Sequence, residues 1–199
     1  MPKIEKITKQ TENPYVNLYL VEGKNKVDHP FRYYVASRAK TMEALKIKTK
    51  KNTPDGVLMY SLYGEKRDKI VLVRQYRVSI DDYIYEFPAG LVESGEEFHE
   101  AAVREMHEET GLTFHPLKVD PCYEKPFFTT IGMTDEACSA VYGWCEGSRK
   151  YLEESEVIEV VLADREEAKR ILREENVAIM CSYHLMHFIY DEEPFAFLK

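Results

Sequence analysis

The sequence predicts an α+β chain: a short N-terminal β region, then a β-rich domain carrying one central acidic helix. Three observations predict it. Aromatic and β-branched runs bounded by turn residues recur along the first ninety or so positions. Between Ser94 and Gly111 the apolar residues switch to helical spacing. Beyond that helix, two strand-like runs precede two helical ones.

The elements follow in order. Residues 14–22 (PYVNLYLVE) and 31–37 (FRYYVAS) read as strands. The basic polar stretch 46–56, KIKTKKNTPDG, carries the turn signal Pro54-Asp55-Gly56 and is a candidate boundary. Residues 57–63 (VLMYSLY) and 69–77 (KIVLVRQYR) read as a hairpin joined by GEKRD, and YIYEFPAG (83–90) as a further short strand. Ser94, with Glu97 three residues on, has the form of a capping box. Phe98, Ala101, Ala102 and Met106 give the helix an apolar side, and Gly111 is its stop. Residues 138–146 and 156–163 read as strands. Asp164 is positioned to cap a helix through about Glu174, and 178–190 reads as another. There is no internal repeat.

A chain of 199 residues with ordinary apolar and charged fractions forms a real core. A net charge of −8 disfavours a protein whose main partner is a nucleic-acid backbone, which calls for a basic footprint. No apolar run reaches membrane-spanning length, and MPKIEKITKQ lacks the apolar core of a signal peptide. Cys122, Cys138, Cys145 and Cys181 form no CxxC pair. The expectation is a reduced cytoplasmic protein with buried thiols. Cys181, His184 and His187 fall at i, i+3 and i+6, but the last has rotated away and no fourth zinc ligand is evident. Core packing is the better reading.

The stretch REMHEETG, Arg104 to Gly111, breaks two local rules. A helix C-terminus disfavours anions, yet glutamates crowd it. Glu105, Glu108 and Glu109 stand at i, i+3 and i+4, so they share a face and repel. A divalent cation relieves both conflicts. Mg²⁺ takes oxygen ligands, usually a couple of carboxylates plus substrate phosphate oxygens. Glu105 and Glu109 lie one turn apart, with Glu108 beside them. Arg104 is placed to bridge Glu96 and Glu108 by charge-assisted hydrogen bonds. Gly90–Gly95 allows a tight turn and close backbone approach to a ligand. A merely solvated acidic face, the usual fate of a charge run, leaves the register of Gly90, Glu96 and Gly111 unexplained.

Gly90, five residues, Glu96, seven residues, then Arg104-Glu105-Met106-His107-Glu108-Glu109-Thr110-Gly111-Leu112 matches G-x5-E-x7-R-E-U-x-E-E-x-G-U, with U apolar, at every fixed position. The chain thus resembles the Nudix hydrolases. Gln75-Tyr76-Arg77, Glu86-Phe87-Pro88-Ala89-Gly90 and Pro126 are similar to the ADP-ribose pyrophosphatase branch. That branch also has a loop of the form S-P-G-x-[ST]-[DN]-E. Thr130–Glu136 fits it at Gly132, Thr134, Asp135 and Glu136, with Thr130 and Ile131 replacing its serine and proline.

The resemblance implies an α/β/α sandwich around a mixed sheet, with a short N-terminal antiparallel β extension. Residues 1–50 then supply the extension, with substrate and dimer contacts, and 51–199 the hydrolase domain. It implies a homodimer, and Mg²⁺ (or Mn²⁺) held by the Ala89 carbonyl, Glu105 and Glu109 with Glu108 close by. Catalytic roles fall to Glu108, Glu136 and Arg104. Glu136 matches a loop glutamate that acts as base or water partner in some members. Arg77 matches an arginine on the substrate diphosphate, and Glu86 a residue of the substrate pocket. Phe31, Tyr33 and Tyr34 are candidates to stack on a base, although strand packing is the commoner role.

The expected reaction is hydrolysis of ADP-ribose to AMP and ribose 5-phosphate. Another nucleotide sugar, a GDP- or UDP-hexose, preserves the same chemistry. A module that senses a nucleotide without turnover is a third reading, disfavoured by the complete box.

Overall fold

The computed structural model describes residues 2–148 and 158–199. The chain divides into two compact units: Met1–Asp55 with Pro126–Cys138, and Gly56–Lys125 with Ser139–Lys199.

The first unit is built on a three-stranded antiparallel meander. Strand β1 (Lys3–Lys9) pairs with β2 (Asn17–Lys24), which pairs with β3 (Pro30–Ser37). Sequence reading did not assign β1. Its KIEKITK pattern lacks the aromatic content of β2 and β3, and its exposed lysines blunt a free edge. Tyr19, Leu20 and Val21 of β2 are buried, whereas Tyr33 and Tyr34 of β3 are exposed. A short helix α1 (Lys46–Thr49) lies in the basic stretch expected to be a boundary. The contact division itself falls at Asp55.

The second unit holds a sheet of order β11-β5-β4-β10-β8, with β6 on β5 and β7 on β4. The strands are β4 (Gly56–Tyr63), β5 (Lys69–Arg77), β6 (Asp82–Glu86), β7 (Ala89–Leu91), β8 (Thr113–Pro116), β10 (Ala137–Glu146) and β11 (Ile158–Ala163). The first two residues of β10 belong to the other unit, where they pair with β9 (Phe127–Phe128). β4 and β5 form the expected hairpin, with Leu62 opposite Ile70. The last strand was expected from Glu156, and its first two residues lie outside the described residues.

Helix α2 (Phe98–Thr110) ends as expected, with Gly111 in the left-handed region at φ 73°. It does not begin at Ser94. Gly95 sits at φ 86°, which no helix accepts, and Glu97 is the cap, its carboxylate accepting from the His99 N–H. The remaining helices are α3 (Pro121–Glu124), α4 (Arg165–Glu174), capped by Asp164 as expected, and α5 (Ile179–Tyr190).

Strand alternation divides the core between the two faces of this sheet. Val57, Met59 and Val71 pack on Ala101, Ala102 and Met106 of α2. Leu58, Tyr60, Leu62, Ile70 and Leu72 pack on Ile171 of α4 and Cys181, Leu185 and Phe188 of α5. The apolar side of α2 is thus fixed, and its acidic side faces away from the core. Cys145 and Cys181 are buried thiols as expected, but Cys122 is exposed. His184 joins the aromatic packing around Tyr60, Phe87 and Phe197. Among the described residues, no helix is long and apolar enough to cross a membrane. The α+β class expected from the sequence is the one observed.

Candidate metal and diphosphate site

The acidic side of α2 is organised by one guanidinium. Arg104 donates Nε to Glu96 Oε1 at 2.9 Å and NH2 to Glu96 Oε2 at 3.0 Å, a two-pronged grip. Its NH1 reaches Glu105 Oε1 at 2.8 Å and Glu108 Oε2 at 3.1 Å, and NH2 also donates to the Leu91 carbonyl. Arg104 holds the Glu96 carboxyl below its usual range. Glu96 in turn accepts from the Glu93 N–H at 2.9 Å, so the loop ahead of α2 closes onto its own helix.

Strand β7 approaches the same face. The Ala89 N–H donates to Glu109 Oε2 at 3.0 Å. Gly90 lies so close to Glu105 that a Cβ there would stand 1.9 Å from its carboxyl carbon. Only glycine leaves that carboxylate where it is. Burial pushes the Glu109 carboxyl up to about 7; the Glu105 and Glu86 charges add to the shift, while the Ala89 N–H and Arg77 oppose it. Two acids one turn apart, one of them desolvated, form a place where added positive charge is stabilised.

On the neighbouring strands, Arg77 of β5 donates Nε to Glu86 Oε2 of β6 at 2.7 Å. Both influence Glu109. Ala89, Glu105, Glu109, Arg77 and Glu86 therefore share one neighbourhood, with Glu108 on its exposed margin at 58 % side-chain exposure.

The side chains suit a hard cation: they offer carboxylate oxygens, with neither thiol nor imidazole needed. Among the described residues no three acidic, histidine or cysteine side chains already converge as a closed cage. The reason is visible, since Arg104 holds Glu105 and the Ala89 N–H holds Glu109. A Mg²⁺ site that borrows waters and substrate phosphate oxygens needs only one or two protein carboxylates. The residues fit such an ion.

Glu136 belongs to the other unit. There Arg38 Nε donates to its Oε1 at 2.7 Å and Thr129 Oγ1 to its Oε2 at 3.3 Å. Both carboxylate oxygens are engaged. Sequence reading missed Arg38 because it stands alone, 98 residues from its partner, with no motif around it. Leu91 was missed because its contribution is a backbone carbonyl. Tyr33 gives its hydroxyl to the Gly132 carbonyl of the same loop that carries Glu136.

Over 112 residues the chain is 32% identical to the ADP-ribose pyrophosphatase of Bacillus subtilis (strain 168), covering 55% of this chain and 58% of that protein. It is 34% identical over 103 residues to putative nudix hydrolase 2 of Caenorhabditis elegans, covering 48% and 45%. It is 36% identical over 87 residues to the ADP-sugar pyrophosphatase of Mus musculus, covering 42% and 40%. The matches thus span about half the length of these relatives. Among solved structures, that of an ADP compounds hydrolase superposes with a TM-score of 0.68 over 94% of this chain and 91% of that one, at 16% identity, which is a likeness of fold. The family model of the NUDIX domain matches residues 52–182. The chain belongs to the NUDIX family.

Proposed function

We propose that the protein hydrolyses the diphosphate bond of ADP-ribose, giving AMP and ribose 5-phosphate, with the help of Mg²⁺ or Mn²⁺. The observation that carries this reading is the Arg104-organised carboxylate face, with a desolvated Glu109 beside the close approach of Gly90 to Glu105. The similarity to ADP-ribose and ADP-sugar pyrophosphatases supports the substrate class.

Glu105, Glu109 and the Ala89 carbonyl, with Glu108 at the margin, are the residues to hold the ion. When bound, the cation supplies charge neutralisation of the diphosphate and makes a water more acidic. Arg104 keeps Glu96, Glu105 and Glu108 in fixed relation, so little reorganisation is needed at the moment of reaction. Arg77 adds positive charge for a diphosphate oxygen, and Glu86 fixes its guanidinium. In the chemical step, water oxygen bonds to a phosphorus, and the bridging P–O bond breaks. The water proton passes to a carboxylate, Glu136 being the first candidate and Glu108 the second. Tyr33 and Tyr34, exposed on β3, are candidates to stack on the base. The working form we propose is a cytoplasmic homodimer, with residues 1–50 as the N-terminal extension and 51–199 as the hydrolase domain.

A nucleotide hexose is the second substrate reading, because this face handles the diphosphate and not the groups beyond it. The test is product analysis with Mg²⁺ and a panel of ADP-ribose, ADP-glucose, UDP-glucose, GDP-mannose, NADH and a nucleoside triphosphate. AMP and ribose 5-phosphate forming fastest from ADP-ribose is the expected result. Faster cleavage of a hexose nucleotide overturns the substrate assignment. Binding of one member without cleavage of any overturns the enzymatic one. Glu109→Gln should lose about a hundredfold or more in kcat at saturating Mg²⁺; near-normal turnover removes Glu109 from the ion.

A further inference from the structure

Helix α5 is apolar on two sides. Its inner side packs Cys181, Leu185, Phe188 and Ile189 into the core of the second unit. Its outer side carries Ile179, Tyr183, Met186 and Tyr190, exposed at 62, 58, 46 and 75%. At about 3.6 residues per turn these four fall within roughly 60° of arc, so they form one stripe. None of the helix residues, IMCSYHLMHFIY, is Asp, Glu, Lys or Arg, in a chain that is 31% charged. Its neighbour α4, REEAKRILRE, shows the ordinary pattern: Ala168 and Ile171 are buried and the outer positions are charged. A helix apolar all round is normally covered all round.

The spacing of the stripe says what covers it. Its members are separated by four, three and four positions, the a/d seam of a helix pair. That spacing reads the same in both directions. Two copies of α5 laid antiparallel about a two-fold axis therefore mate with themselves: Ile179 meets the partner's Tyr190, and Tyr183 meets the partner's Met186. Self-complementarity of this kind is what a two-fold interface requires. Antiparallel packing also sets the positive N-terminus of each helix, which has no side-chain cap, beside the negative C-terminus of the other. The four side chains offer on the order of 400 Å² per copy. That is about half of the roughly 800 Å² per partner in a standard interface, a fitting share for its apolar centre. Ser182 and His187 flank the stripe and supply polar rim. A membrane surface fits less well. Glu174, Glu175, Asp191, Glu192 and Glu193 border the helix, where interfacial helices carry Lys and Arg.

We propose that the outer side of α5 is a self-association surface, on which a second copy of this chain docks through its own Ile179, Tyr183, Met186 and Tyr190. The surface is separate from the acidic face of α2 and from residues 1–50, and does not depend on the catalytic reading.

The experiment is analytical ultracentrifugation of the full chain, with a thermal melt to confirm that each variant folds. The wild type self-associates with a Kd of about 10 μM or tighter. Tyr183→Glu sets a charge at the centre of the seam and weakens association about a hundredfold or more, halving the particle mass. Ile179→Lys acts likewise at the end of the seam and serves if Tyr183→Glu fails to fold. Proximity is checked with Met186→Cys in a Cys122→Ser background, which removes the exposed native thiol. A short bismaleimide joins two such chains, and adding Tyr183→Glu abolishes the product. A monomeric wild type, a mass unchanged in both seam variants, or no cross-linked product overturns the proposal. The unchanged mass is the result expected if copies associate only through the N-terminal region. Turnover is not the readout, so failure of the catalytic reading leaves this result intact.

Discussion

Arg104 grips Glu96 with two parallel hydrogen bonds, Nε to Oε1 and NH2 to Oε2, across eight residues of chain. The same guanidinium reaches Glu105 and Glu108. Lysine carries the charge but not the planar fork. Arg104→Lys should therefore fold normally and lose about 10–100-fold in kcat/KM, the usual effect of disturbing groups that orient ligating side chains. Steady-state kinetics beside a thermal melt checks this. Unchanged kinetics would mean that the fork organises nothing used in turnover.

Gly90→Ala separates stability from activity. The new Cβ collides with the end of the Glu105 side chain, which is flexible and can move aside. Stability should change by less than about 1 kcal/mol, whereas kcat should fall about a hundredfold because the carboxylate is displaced. Urea melts and turnover on one preparation decide it; a large stability loss with normal kcat contradicts the expectation.

Arg38→Ala releases Glu136 Oε1 from its ion pair. The pair is partly exposed, so little stability is at stake. If Glu136 serves the reaction, losing its orientation should lower kcat about tenfold and leave KM within about twofold, with Arg38→Lys recovering part. Glu136→Gln should be worse, by about 10²–10⁴ for a lost general base. Equal activity in all three proteins would remove this glutamate from the mechanism.

His184 predicts a pH dependence of stability. Its Nδ1 lies 2.8 Å from the Met180 carbonyl, so that nitrogen carries the hydrogen, and Nε2 faces the Tyr142 hydroxyl at 3.4 Å. Burial lowers its pKa below the ordinary 6.5, with His187 adding to the shift and the Met180 carbonyl opposing it. The unfolded chain then takes up a proton at higher pH than the folded one. The contribution is fully present above about 6.5 and is lost as pH falls through the folded value. Between the two values this residue costs up to about 1.4 kcal/mol per pH unit. Urea melts of the wild type and His184→Gln from pH 8 to 5, reported as a difference, check the sign. A difference that grows toward alkaline pH contradicts it.

The sequence by itself determined what depends on neighbours within about a turn. The β4–β5 hairpin follows from its alternation and turn residues. The apolar side of α2 follows from the spacing of Ala101, Ala102 and Met106, and its end from Gly111. The grouping of Glu105, Glu108 and Glu109 follows from helix geometry alone. Tertiary structure decided the rest. Ser94 looked like a cap, but Glu96 is needed by Arg104 and Gly95 turns left-handed, so the helix waits until Glu97. The Ala89 N–H on Glu109, the Gly90 backbone against Glu105 and the hold of Arg38 on Glu136 join residues far apart in the chain. No local propensity encodes such pairs, because they exist only after strands have registered and faces have packed.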